Sequence, residues 1–140
     1  MKTGYKQIKT VEDAAKAIGI TLLSEETHRT LLGLQEGIIA RNNYLHYLLT
    51  IVCKALNGDW EADWRSNDEI WQIWCYVPAR LGNALRGAYC GLGILHSNHG
   101  PTYAHARNGV SLCLKTEEIA YYAKKQFEEL WIEYLTGFKE

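Results

Sequence analysis

The sequence predicts an α+β fold with helices at the amino-terminal end, a small antiparallel sheet containing an Asn108-Gly109 hairpin, and a long carboxy-terminal helix packed on that sheet. Three observations carry this. Apolar residues recur at helical spacing from Ile38 to Leu56 and again from Ile119 to Tyr134. Between these stretches the pattern changes to short β-branched and aromatic runs. Asn-Gly at 108–109, flanked by two such runs, is a strong two-residue hairpin signal.

In chain order, Thr10 is placed to cap a short helix beginning at Val11. Glu12 and Asp13 sit favourably in its first turn, and Gly19 stops it. Ser24-Glu25-Glu26 opens a second short helix that ends near Gly33. The main helix follows, with Ile38, Leu45, Leu48, Leu49, Val52 and Leu56 on one inward stripe and a left-handed stop at Asn57-Gly58. Ile70 to Val77, Arg86 to Leu95 and the two arms of the hairpin, 103–107 and 110–114, give three or four strands. Thr116 caps the closing helix, whose inward stripe is Ile119, Ala123, Phe127, Leu130, Trp131 and Tyr134 and whose stop is Gly137. Lys124 with Glu128 and Lys125 with Glu129 are spaced for solvated ion pairs on its outer face.

With 140 residues the chain has room for one core, and the expected organisation is a single domain over 1–140. Within it the helical part spans 1–58, an acidic tryptophan loop 59–69, the sheet 70–115 and the last helix 116–137. Apolar stretches fall well short of the roughly 18 residues a membrane span needs, so no membrane partner is expected. Nothing after Met1-Lys2-Thr3-Gly4-Tyr5-Lys6 resembles a secretory signal. Cys53, Cys75, Cys90 and Cys113 are too dispersed for a disulfide framework. A cytoplasmic protein with reduced thiols is the expectation.

The formal net charge is only -1, yet charge is segregated along the chain. Residues 59–69 hold five acids and one arginine around Trp60 and Trp64. From Ile70 to Thr116 there is no Asp or Glu, while Arg80, Arg86, Arg107 and Lys115 are all cationic. Arg80, Arg86 and Arg107 are candidate phosphate ligands, and Trp71, Trp74, Tyr89 and Tyr103 are candidate stacking partners for a base. Gly87, Gly91 and Gly93 share one strand parity with Tyr89, leaving a nearly bare strip at Gly91. A flat group can approach the backbone there, whether a tryptophan of the next strand, a partner chain or a ligand ring.

The segment Gly109-Val110-Ser111-Leu112-Cys113-Leu114-Lys115-Thr116-Glu117-Glu118, with Ala120, Tyr122, Ala123, Lys125-Gln126-Phe127 and Trp131 after it, resembles the ending of small uncharacterised phage and prophage proteins of Bacteroidetes. Asn57-Gly58-Asp59-Trp60 and Asp63-Trp64 are similar to an earlier tryptophan motif of that group. The resemblance implies phage origin and action inside a host cell; it supplies no catalytic residue.

Other chemistries find less support. His96 and His99 supply two nitrogens at short spacing, without a second tight pair to complete a zinc site. Cys90 lacks a carboxylate within 70–116 to orient a histidine for thiolate catalysis. No catalytic residue, resident metal or cofactor is therefore expected. The expected function is a non-enzymatic binding protein that takes an anionic, nucleotide-like ligand or nucleic acid on a cationic aromatic sheet, in the manner of a host-defence antagonist. The alternative is a protein-interaction or structural role, with a host protein or as a homo-oligomer, because nine tyrosines and five tryptophans are many for a core of this size.

Overall fold

The computed structural model describes residues 4–65, 69–76, 91–96 and 109–137. Thr10 begins α1 (Val11–Ala17) through a reciprocal cap: its Oγ1 accepts from the Asp13 N–H at 3.0 Å, and the Asp13 carboxylate accepts from the N–H groups of Thr10 and Lys9. Ser24 likewise caps α2 (Glu25–Leu31) by accepting from the Thr27 N–H. Both starts follow from short polar side chains that satisfy N–H groups the helix leaves open. Ala14 and Ala15 are buried, and their small size lets α1 lie close against α3 (Ile38–Asn57).

Helix α3 is the central post. Leu45, Leu48, Leu49, Val52 and Leu56 are buried as the stripe predicts, and so are Ile51 and Cys53 to either side of it. From Leu45 onward the helix is therefore enclosed on most of its circumference. Ile38 departs from the expectation, with 78% of its surface exposed. It lies in the first turn, about two turns before Leu45, where Ala40 is still buried but nothing among the described residues packs over Ile38 and Ile39, which stand in solvent.

Two strands, β1 (Trp71–Tyr76) and β2 (Gly91–His96), pair antiparallel with Trp71 opposite His96 and Tyr76 opposite Gly91. On its other side Trp71 exchanges both backbone hydrogen bonds with Leu114, at 3.0 and 2.8 Å. That single bridge is what the structure has in place of the predicted strand over 110–114. Val110–Leu112 instead forms a 3-10 turn, closed by the Leu112 N–H donating to the Gly109 carbonyl. Leu112, Cys113 and Leu114 are all buried, whereas a strand would send alternate residues to opposite faces. Asn108 and the first arm of the hairpin lie outside the described residues.

Asn57 then ties the end of α3 to this segment. Its side-chain amide donates to the Cys113 carbonyl at 2.9 Å, and its oxygen accepts from the Lys115 N–H at 3.0 Å. Thr116 starts the closing helical stretch as expected, accepting from the Ile119 N–H. The single long helix is corrected to two, α4 (Glu117–Gln126) and α5 (Glu128–Thr136), separated at Phe127 with φ -117° and ψ 31°. Lys124 and Lys125 fall in the last turn of α4, and Glu128 and Glu129 in the first turn of α5. Each pair opposes the partial charge of its own helix end. The expected lysine–glutamate pairs across this junction do not form; Lys124 Nζ lies over the Tyr121 ring, 4.8 Å from its centroid.

Phe127 and Trp131 are buried, and α4 and α5 both pack on the sheet. The amino-terminal segment is gripped by α4: Tyr122 donates to the Ile8 carbonyl at 2.7 Å, and the Gln126 amide donates to the Lys9 carbonyl at 2.9 Å.

Candidate functional site

The strand register decides what becomes of the predicted aromatic platform. Trp74 stands directly opposite Gly93 and is 38% exposed, so an aromatic of the neighbouring strand is paired with the glycine strip. Gly91 is paired with Tyr76 at the far end of the same ladder. Trp71 is not available for stacking. It is 9% exposed and belongs with Ile73, two residues on and so on the same face of β1, to the hydrophobic core under α4 and α5. Arg80, Arg86, Tyr89, Tyr103 and Arg107 lie outside the described residues.

The thiol and imidazole candidates fare similarly. Cys53 and Cys113 are free and buried. Burial raises the pKa of the Cys113 thiol to about 11 and that of Cys53 further still, which keeps both protonated and unreactive. His96 ends β2, whereas Cys90, His99 and His105 lie outside the described residues. Among the described residues no three His, Cys, Asp or Glu side chains converge as metal ligands.

What sequence reading did not find is a charged node joining three helices. Arg41, in the first turns of α3, forms a two-pronged ion pair with Glu133 of α5, Nε to Oε2 at 2.7 Å and Nη2 to Oε1 at 2.8 Å. Its remaining Nη1 donates to Glu25 of α2 at 2.8 Å. The Glu133 hydrogen bonds, more than any other contact, raise the Arg41 pKa and hold the guanidinium charged at every relevant pH. Beside this node lies an open cleft of about 960 Å³, whose charged lining residues are Glu25, Glu26, Arg29, Glu36, Arg41 and Glu133. The only sequence signal for the node was a lone basic residue close to the start of a largely apolar helix.

Helix α2 is held over this region by aromatic side chains. Tyr44 donates to the Leu23 carbonyl at 2.9 Å, while the Tyr47 hydroxyl accepts from the Leu23 N–H at 3.0 Å. The His28 ring lies against both tyrosines, 4.8 Å from Tyr47 and 5.5 Å from Tyr44. Its Nδ1 is buried without a hydrogen-bond partner.

The turn from α2 to α3 then places large aliphatic side chains in solvent. Leu31 is 70% exposed, Leu32 51%, and Ile39 66%, next to Ile38. Gly33 (φ +69°) and Gly37 (φ +147°) bound the turn in backbone conformations that disfavour a side chain, and Arg29 closes it by donating to the Leu34 carbonyl. The pattern was visible as two aliphatic doublets flanking a glycine-bounded loop.

These features define a helix-dominated α+β protein with an acidic cleft beside an exposed aliphatic corner. No protein family, curated protein or solved structure matches the chain. No helix among the described residues is long and apolar enough to cross a membrane.

Proposed function

We propose that this chain is a non-enzymatic binding protein whose working surface is the α2–α3 corner. One observation carries the reading: Leu31, Leu32, Ile38 and Ile39 are each more than half exposed within a nine-residue stretch of sequence. Isolated exposed aliphatics are ordinary, but four at one turn form the kind of patch that protein partners cover. The resemblance of residues 109–131 to phage proteins supports a host protein as that partner, a host-defence component included.

A second reading is favoured by Trp74, exposed opposite Gly93 and within the acid-free stretch 70–116. It is the binding of a nucleotide-like anion or a nucleic-acid strand, with Arg80, Arg86 and Arg107 as phosphate ligands. Hydrogen–deuterium exchange on the full chain, alone and in complex with material recovered from host extract, separates the two. Protection confined to 25–45 supports the docking corner, and protection confined to 71–96 supports the sheet reading. Protection in neither region removes both.

A further inference from the structure

Resting on the docking reading above, we propose that the occupant of the α2–α3 corner is an amphipathic helix of a partner protein that carries lysine or arginine beside its apolar face. The aliphatic corner supplies the apolar half of the argument, since Ile38 is at once one of the exposed residues and part of the cleft wall. A helix laid along the corner would bury these side chains and bring its flanking residues over the cleft.

Charge supplies the other half. The cleft has four carboxylates against two guanidinium groups. Arg41 is already engaged by Glu133 and Glu25, and Arg29 donates to the Leu34 carbonyl. Glu26 and Glu36 have no ion-pair partner among the described residues. A partner that displaced water from this surface without bringing cations would strip two carboxylates of solvent and give nothing in return, which is strongly unfavourable. A neutral or acidic apolar segment is thus selected against, and a second copy of the same acidic corner would repel the first.

The test uses two fluorescein-labelled synthetic peptides with the same amphipathic leucine pattern, one with lysine and one with glutamate at the polar positions. Fluorescence anisotropy is measured with the full chain at low and high salt. The lysine peptide should bind at least about tenfold more tightly than the glutamate peptide. Glu26→Gln with Glu36→Gln should shrink that preference and its salt dependence, whereas Asp59→Asn with Glu61→Gln, remote and equal in charge, should leave both intact. Ile38→Ser with Ile39→Ser should abolish binding, and Leu31→Ser with Leu32→Ser is the second apolar variant; circular dichroism confirms that each is folded. Equal binding of the two peptides, lost in the apolar variants, overturns the basic partner and leaves the docking corner standing. A dimer seen by sedimentation and abolished by Ile38→Ser with Ile39→Ser also overturns it, in favour of a second copy. Binding that the apolar variants leave unchanged, or no binding by a monomer, overturns the inference and the docking reading together.

Discussion

Arg41 shows how one side chain fixes the relation of three helices. Its partner Glu133 has a side chain only 12% exposed, so Arg41→Ala would take the two-pronged guanidinium contact away from a largely desolvated carboxylate. A loss of about 2–4 kcal/mol in urea unfolding is expected, combining two charge-assisted bonds with that penalty. Arg41→Lys should recover part of it, because the charge returns without the planar fork. Glu25→Gln, at the more exposed arm, should cost about 0–1 kcal/mol. The thiols give a second expectation at this scale. With burial holding Cys53 and Cys113 protonated, peptide mapping after iodoacetamide treatment at mildly alkaline pH should find both unmodified in the folded chain and both labelled in denaturant.

At the scale of elements, caps and clamps decide where helices start and what they are tied to. The N–H of Lys9, and then the hydroxyl and N–H of Thr10, hold the Asp13 carboxyl below its ordinary pKa. A depressed folded pKa means stabilisation that is present above the unfolded pKa and lost as the pH falls through the folded one. Acid unfolding below about pH 4 should therefore be shallower in Asp13→Asn, which keeps an acceptor oxygen but does not titrate. Asn57 is a different device, satisfying a carbonyl and an N–H of a segment more than fifty residues away. Asn57→Ala leaves both to find other partners, and an equilibrium loss of about 1–3 kcal/mol is expected in denaturant titration.

For the whole molecule, the exposed corner and the core should respond in opposite ways. Leu49→Ala, in the middle of α3, creates a cavity and should cost about 2–5 kcal/mol. Ile38→Ser with Ile39→Ser should shift folding stability by no more than about 1 kcal/mol while removing binding of the lysine peptide, because these side chains bury little within the chain itself. Thermal melting together with fluorescence anisotropy of the labelled lysine peptide, on the same samples, reads both quantities. A large loss of stability in the corner variant would mean that Ile38 and Ile39 serve the fold rather than a partner.

Local chemistry determined the helix starts at Thr10, Ser24 and Thr116, the stops at Gly58 and Gly137, and the strands at β1 and β2. Caps, glycine conformations and period-two patterns act over a few residues and are therefore legible in a single sequence. The inward stripe of α3 was legible from Leu45 to Leu56 for the same reason. Pattern could not say that the core ends before Ile38, that Leu114 would make one bridge instead of a strand, or that the last helix would divide at Phe127. Each depends on what lies across the core, and periodicity states which side of an element is apolar without stating what is there to cover it. Arg41 joining Glu25 and Glu133, and Asn57 reaching Cys113 and Lys115, were decided by tertiary structure alone, because their partners are between 16 and 92 residues away in the chain.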